Sequence, residues 1–311
     1  MVYHWLDQCR SSGLRPTSLA TYTAIVQHRI LCYPQLANTA VDKLTTALVA
    51  TWWVLVVKDH PDTPDRNKRA YGKLKAALGL AVEYGYIGVN PVQVSAARRT
   101  PRRKNKTLPT TSQLMAIMSH TPERYQFAVC MCLFHGLRVG ECLGLQTEHV
   151  VHLPGGGIGL RVEGTLQRLK GTDGRMFMRW QPMPKTQAGV RTVPVLSEFT
   201  ELVTRHIAGV PSGYLTTTQA GNIVMDTSFR SIFNRAKQSA GAPMEITPHY
   251  GRNWLITRLA EAGATPKEIG RVLGQEDVST IVGVYMKVRE SRPAELMSRI
   301  TTTDTTTQKA V

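Results

Sequence analysis

Residues 97–106 read Ala-Arg-Arg-Thr-Pro-Arg-Arg-Lys-Asn-Lys, a stretch with six cationic side chains, no anionic one and almost nothing apolar. It has no apolar surface to bury, so it cannot run through the middle of one continuous core and has to join two. The 311 residues are therefore expected to form a helical domain over 1–95, a basic linker over 96–108 and a second domain over 109–292, with a C-terminal segment over 293–311. Mutual repulsion among Arg98, Arg99, Arg102, Arg103, Lys104 and Lys106 keeps such a linker extended. Two readings of it stand: a solubilising hinge, or a strap along a phosphate backbone that lets two domains grip opposite sides of one duplex.

The charge excess extends beyond the linker. Lys and Arg number 38 against 22 Asp and Glu, a formal net charge of +16. This points to a polyanionic partner, because cations that neutralise phosphates release condensed counterions. With 42% hydrophobic residues the chain can build real cores. No apolar run approaches the ~18 residues a membrane span needs. The N-terminus, Met1-Val2-Tyr3-His4-Trp5-Leu6-Asp7, has no basic segment and no cleavage site of a secretory leader. Cys9, Cys32, Cys130, Cys132 and Cys142 are odd in number and form no CxxC pair. Cys130-x-Cys132, on an apolar segment, is expected to be a pair of buried thiols in a reducing compartment and not a zinc site. The expected location is the cytoplasm, at the nucleoid of a bacterial host.

Periodicity gives a coarse map. Thr17-Ser18 precede an apolar stripe of Leu19, Tyr22, Ile25, Val26 and Ile30, and residues 45–58 and 65–84 carry two further amphipathic helices. The polar face of the third holds Arg66, Lys68, Arg69, Lys73 and Lys75, either a solvated face or a set of phosphate contacts. The second domain opens with a helix cap at Thr110-Thr111 and stays helical through Cys142. Residues 158–162 and 191–195 read as strands, with glycine turns at 155–157 and 171–174. Helices return over 227–240, 248–262, 266–273 and 279–288, and the Thr-rich tail from Thr301 reads as disordered. The fold class is mainly α with a small β-sheet.

Five places in the second domain carry unusual chemistry. Arg138 lies three residues before Glu141 in an otherwise apolar stretch, where a guanidinium needs a partner. Lys185 precedes a strand, His249 and Arg252 lie one helical turn apart, Gln275 follows Gly274 in a loop, and Tyr285 comes ten residues later. Taken singly, each has a plainer reading: a structural ion pair, a surface lysine, a helix cap, a core tyrosine.

Their order is more specific. The stretches Phe134-His135-Gly136-Leu137-Arg138-Val139-Gly140-Glu141-Cys142-Leu143-Gly144-Leu145, Pro184-Lys185-Thr186 through Arg191-Thr192-Val193-Pro194, Thr247-Pro248-His249-Tyr250-Gly251-Arg252, and Val272-Leu273-Gly274-Gln275 through Ser279-Thr280 to Tyr285 resemble the tyrosine recombinases, the integrases of phages and related elements. The resemblance spans nearly the whole chain, with the helical front end similar to the family's core-binding domain. It implies that Arg138 and Arg252 grip one phosphate and stabilise a pentavalent transition state, supported by Glu141. Lys185 would protonate the departing 5′-oxygen, His249 would assist proton transfer, and Tyr285 would attack to form a 3′-phosphotyrosine. A phenol with pKa about 10 is a poor nucleophile unless its target is activated, which is what the arginines are for. No cofactor is expected, and no Asp/Glu cluster suggests a two-metal site.

Two departures from the family pattern stand out. Gln275 occupies a position usually held by His or Trp; its amide can donate to a phosphate oxygen but cannot carry a proton. The core-binding pattern also begins within a few residues of Met1, so the expected protein lacks the small arm-binding N-terminal domain of many phage integrases. The expected partners are double-stranded attachment or core sites and a homo-tetramer on synapsed DNA, with an excision factor or host DNA-bending protein as further candidates. In the family the segment after the tyrosine packs on a neighbouring protomer; here Ala294, Leu296, Met297 and Ile300 can supply such a helix, in trans or folded back in cis. The expected function is site-specific recombination, with two alternatives: relaxation of DNA like a type IB topoisomerase, or non-catalytic DNA binding by a derivative of a recombinase.

Overall fold

The computed structural model describes residues 1–98, 108–171, 173–182, 189–275, 277, 279 and 281–283. Lys185, Tyr285, the linker cations Arg99, Arg102, Arg103, Lys104 and Lys106, and the segment 293–311 lie outside the described residues. Contacts divide the chain into two compact units, Met1–Asn105 and Lys106–Val311.

The first unit is helical: α1 Val2–Ser11, α2 Pro16–Val26, α3 Pro34–Ala37, α4 Thr46–Asp59, α5 Pro64–Glu83 and α6 Ser95–Arg98, with a π-helical turn Gln27–Leu31 after α2. Local chemistry starts these helices where they start. Prolines occupy the first turn of α2, α3 and α5, where no N–H is needed, and the Thr45 hydroxyl accepts from the Leu48 N–H to cap α4. The core is built from Ile25, Val26, Ile30, Val49, Trp52, Val56, Leu74 and Leu78. The Trp52 indole donates to the Arg29 carbonyl at 2.8 Å, which fixes the π turn against α4. Helix α1 falls inside the expected helical domain but its bounds are not legible in the sequence, because only Trp5 and Leu6 of its ten residues are buried and so short a stripe has no clear period.

Along α5, Arg66, Arg69 and Lys75 are exposed, while Lys68 and Lys73 are half-buried. Lys73 points back into its own unit: its Nζ sits 3.2 Å from the centroid of the Tyr22 ring, which is itself stacked on Trp5.

The second unit opens with α7 Thr111–Ser119, held by a reciprocal cap between Thr110 and Gln113. Then come α8 Glu123–Leu133, α9 Val139–Leu143, strands β1 Val150–Leu153, β2 Gly157–Val162, β3 Gly164–Lys170, β4 Met176–Pro182 and β5 Arg191–Pro194, and helices α10 Thr200–Ala208, α11 Asp226–Ser239, α12 Tyr250–Glu261 and α13 Pro266–Leu273. The architecture is mainly helical with antiparallel strands, as the sequence indicates, and among the described residues the strands form two small sheets. β1-β2-β5 is a three-stranded sheet with Gly159 opposite Pro194 and Val162 opposite Arg191; β3-β4 is a separate ribbon.

Two glycine contacts set where the site can form. A Cβ on Gly251 of α12 would collide with the Cys132 carbonyl oxygen, so α12 crosses α8 with backbones nearly touching. A Cβ on Gly140 of α9 would reach the Leu166 carbonyl oxygen at 2.6 Å, so α9 lies equally close to β3. Cys130, Cys132 and Cys142 are fully buried as free thiols in this core, where burial pushes the Cys130 thiol well above its usual range. Among the described residues, no helix is long and apolar enough to cross a membrane.

Candidate active site

Helix α8 ends at Leu133, and Gly136, with φ +67°, turns the chain back so that Arg138 becomes the N-cap of α9. His135 holds this turn. Its Nδ1 lies 3.3 Å from the Cys130 carbonyl and its Nε2 accepts from the Leu196 N–H at 3.0 Å, the pattern of a neutral imidazole protonated on Nδ1. Burial pushes its pKa down to about 4, against the pull of the Cys130 carbonyl.

Glu141 is 1% exposed and accepts three hydrogen bonds. Oε1 takes the Arg138 guanidinium; Oε2 takes the Arg138 backbone N–H at 3.0 Å and Nη2 of Arg191 at 2.9 Å. Burial pushes the Glu141 carboxyl up, but Arg191 and then Arg138 outweigh it and hold the group below the ordinary glutamate range. Arg138 keeps 45% of its side chain exposed, so the carboxylate steers a guanidinium that still faces outward.

Arg252, in the first turn of α12, is 3% exposed. Nη1 donates to the Gly136 carbonyl at 2.7 Å, and Nη2 donates to the Leu273 carbonyl at 3.1 Å and to Oε1 of Gln275 at 3.2 Å. These bonds use three of the five guanidinium N–H groups, leaving two for a ligand among the described contacts. Burial, then the charge of Arg138, with a smaller push from Arg191, lowers its pKa to about 10 against the pull of Glu141, so it stays cationic at neutral pH. Gln275 is set by the end of α13: Gly274 turns left-handed with φ +62°, the Gln275 N–H donates to the Gly270 carbonyl at 2.9 Å, and the side-chain amide donates to the Asp277 carbonyl. His249 is exposed at the N-cap of α12.

The structure thus gathers Arg138, Glu141, Arg252 and Gln275 from segments up to 137 positions apart in the chain (275 minus 138), with His249 three residues before Arg252. It adds Arg191, which the sequence shows as the start of a strand and of the Arg191-Thr192-Val193-Pro194 stretch of the resemblance, with no role of its own. Arg191 is 9% exposed and its Nε donates to the Val272 carbonyl at 2.9 Å. Besides the Gly189 carbonyl two residues back, its partners lie 50 and 81 positions away, so the spacing of residues along the chain does not reveal the contacts it makes. Three guanidinium charges against one carboxylate leave two net positive charges, suited to a tetrahedral phosphate oxyanion that gains negative charge as it reacts. Among the described residues, no group of three or more His, Cys, Asp or Glu could hold a metal ion.

Arginines held in place by a buried carboxylate are suited to gripping a phosphodiester. The sequence profile of the phage integrase family matches residues 109–292, and the chain belongs to that family. It is a tyrosine-type site-specific recombinase. It is 28% identical over 290 residues to the integrase of Mycobacterium phage L5, covering 91% of this chain and 74% of that one. It is 26% identical to the integrase of Staphylococcus phage L54a, covering 96% and 91%. In fold it is similar to the Tn1549 transposon integrase in complex with transposon right end DNA, with TM-score 0.76, 20% identity and coverage of 95% and 99%. A lambda integrase tetramer bound to a Holliday junction shares the fold at TM-score 0.64 and 16% identity, covering 90% and 75%.

Proposed function

We propose that this recombinase integrates mobile-element DNA by cutting and rejoining strands at core sites through a covalent tyrosyl intermediate. The observation that carries the reading is the buried Arg252, aimed by three protein acceptors and surrounded by Arg138, Glu141 and Arg191. Its two remaining N–H groups and the outward-facing Arg138 grip the non-bridging oxygens of one phosphodiester. The Tyr285 oxygen attacks phosphorus, forming a tyrosyl–phosphorus bond as the bond to the 5′-oxygen breaks. Lys185 gives a proton to that leaving oxygen, and His249 assists transfer of the tyrosine proton. Gln275, already bonded to Arg252, contributes an amide donor and no proton. The phosphotyrosine keeps the bond energy, so a 5′-hydroxyl from a partner duplex reverses the step and regenerates the tyrosine without ATP.

On this reading the partner is double-stranded DNA, the working assembly is a homo-tetramer on two synapsed duplexes, and the site of action is the bacterial cytoplasm at the nucleoid. The basic segment holding Arg98, Arg99, Arg102, Arg103, Lys104 and Lys106 straps the two domains around the duplex, and the helical unit, with Arg66, Lys68, Arg69 and Lys75, contacts core-site phosphates. The test begins by selecting duplexes from a random pool by binding, then nicking them so that cleavage traps the covalent complex. A denaturation-resistant adduct is expected, unchanged by EDTA and absent for Tyr285→Phe. Tight, salt-sensitive binding with no adduct overturns the catalytic reading. An adduct without joining to a second duplex overturns recombination in favour of relaxation.

A further inference from the structure

Arg191 belongs to this cluster, yet the reaction just described gives it no step. It does not face outward: 6% of its side chain is exposed, and its donors go to protein acceptors. Apart from the Gly189 carbonyl two residues back, those acceptors belong to two different parts of the site. Nη2 meets Oε2 of Glu141, the same oxygen that takes the Arg138 backbone N–H. Nε meets the carbonyl of Val272, one residue before the Leu273 carbonyl that holds Arg252 and three before Gln275. The residue itself is anchored, because it opens β5 and pairs with Val162 of β2. A single guanidinium in a sheet therefore ties the start of α9 to the end of α13.

The charge balance makes this tie consequential. Glu141 is buried and ionised, and a buried carboxylate draws in whatever cation it can reach. With Arg191 occupying Oε2, the carboxylate has a second cation and Arg138 engages only Oε1 through its side chain. Without Arg191, Arg138 is the remaining arginine bonded to Glu141, and its guanidinium turns inward, away from the phosphate. At the same time the Val272 carbonyl loses its donor, and the turn carrying the Leu273 carbonyl and Gln275 is less firmly set.

We propose that Arg191 is a positioning residue of the phosphate clamp: by satisfying Glu141 and the Val272 carbonyl together, it keeps Arg138 directed at the scissile phosphate and in register with Arg252. This deepens the strand-transfer reading above and rests on it. The clamp acts on negative charge at the non-bridging oxygens, so its failure has a signature that general unfolding lacks.

The experiment is single-turnover cleavage of two nicked substrates, one with the natural scissile phosphate and one with a methylphosphonate there, which lacks one negative charge. Loss of intact strand is the readout. Arg191→Met is expected to lower the rate on the phosphate about 100-fold, the scale of a misplaced catalytic group, with DNA affinity nearly unchanged. On the methylphosphonate the deficit is expected to shrink about tenfold, since less charge has to be stabilised. Arg191→Lys, which keeps the charge but cannot reach both acceptors, is expected to lose about tenfold on the phosphate. The double variant Arg191→Met with Glu141→Gln is expected to be no slower than Arg191→Met alone, because the arginine acts through the carboxylate. Equal deficits on both substrates, or losses that add in the double variant, overturn the proposal. So does an Arg191→Met protein that cleaves at the wild-type rate. If the wild-type protein itself forms no adduct, the strand-transfer reading is what has failed.

Discussion

Arg252 in the second unit is 3% exposed and commits three N–H groups to protein acceptors, whereas Arg66, Arg69 and Lys75 stand exposed along one helix of the first unit. The residue types are the same and the physics is opposite. A buried guanidinium held by carbonyls has already met the cost of leaving water and of losing rotamer freedom, so it can stabilise a developing charge without reorganising. An exposed cation remains hydrated and screened, so what it offers a polyanion is affinity that fades with salt. On the proposed reading one chain thus separates holding DNA from reacting with it, and the separation can be measured.

The sharpest break of that contrast is Arg252→Lys, which keeps the charge and removes the planar fork. Cleavage at saturating DNA is expected to fall on the order of 10²–10³-fold, because a lysine cannot serve the Gly136 and Leu273 carbonyls and a phosphate together. Single-turnover kinetics on a nicked substrate check this.

Acid should next separate the two units by stability. His135 is buried with a pKa near 4, one residue before the Gly136 carbonyl that holds Arg252. Its native pKa lies below the unfolded value of about 6.5, so below pH 6.5 the unfolded chain takes up a proton that the native state refuses. The second unit should therefore lose stability as pH falls from about 6.5 toward about 4, by roughly 3 kcal/mol in full. Urea unfolding followed at several pH values tests the sign, and His135→Gln should flatten the dependence.

A smaller effect comes from the close crossing of α12 over α8. Gly251→Ala places a methyl against the Cys132 carbonyl and the Leu133 backbone. Backbone cannot swing aside as a side chain can, so a loss of about 1–3 kcal/mol is expected, with cleavage reduced because Arg252 is the next residue on the same helix. Thermal unfolding of the variant, set beside its cleavage rate, reads both.

The least effect on chemistry is expected from Arg66→Gln, Arg69→Gln and Lys75→Gln combined. If these side chains meet DNA phosphates, the slope of log affinity against log salt falls by about 0.9 for each contact removed, and cleavage at saturating DNA stays at the wild-type rate. Lys73 is left out of this set because its ammonium is engaged by Tyr22.

The same contrast explains which parts were legible in the sequence. The helices from Thr46 to Asp59 and from Asp226 to Ser239 announce themselves through apolar stripes, the first also through its Thr45 cap, and these signals act within one or two turns. Arg138 and Glu141 are three residues apart and read as a pair at sight. The β3-β4 ribbon escaped, because in Gly164–Lys170 Leu166 shares a face with Arg168 and Lys170 while Leu169 lies on the other, and in Met176–Pro182 Phe177 lies on the face opposite Met178 and Trp180, so no clean alternation marks either strand. Arg191 escaped for a different reason: both of its contacts that matter close loops of 50 and 81 residues, and no periodicity encodes a loop closure. The resemblance supplied the order of the catalytic motifs, but not the buried charge that binds them to each other.

The central claim is that the buried arginine cluster performs chemistry on a phosphate while the exposed cations only retain the DNA. The most direct test measures cleavage rate at saturation and DNA affinity side by side for Arg252→Lys and for the triple variant of Arg66, Arg69 and Lys75. The account predicts a crossed result: Arg252→Lys loses on the order of 10²–10³ in rate with affinity nearly intact, and the triple variant loses affinity with rate intact. Parallel losses of rate and affinity in both proteins, or an Arg252→Lys enzyme that cleaves at the wild-type rate, would contradict it.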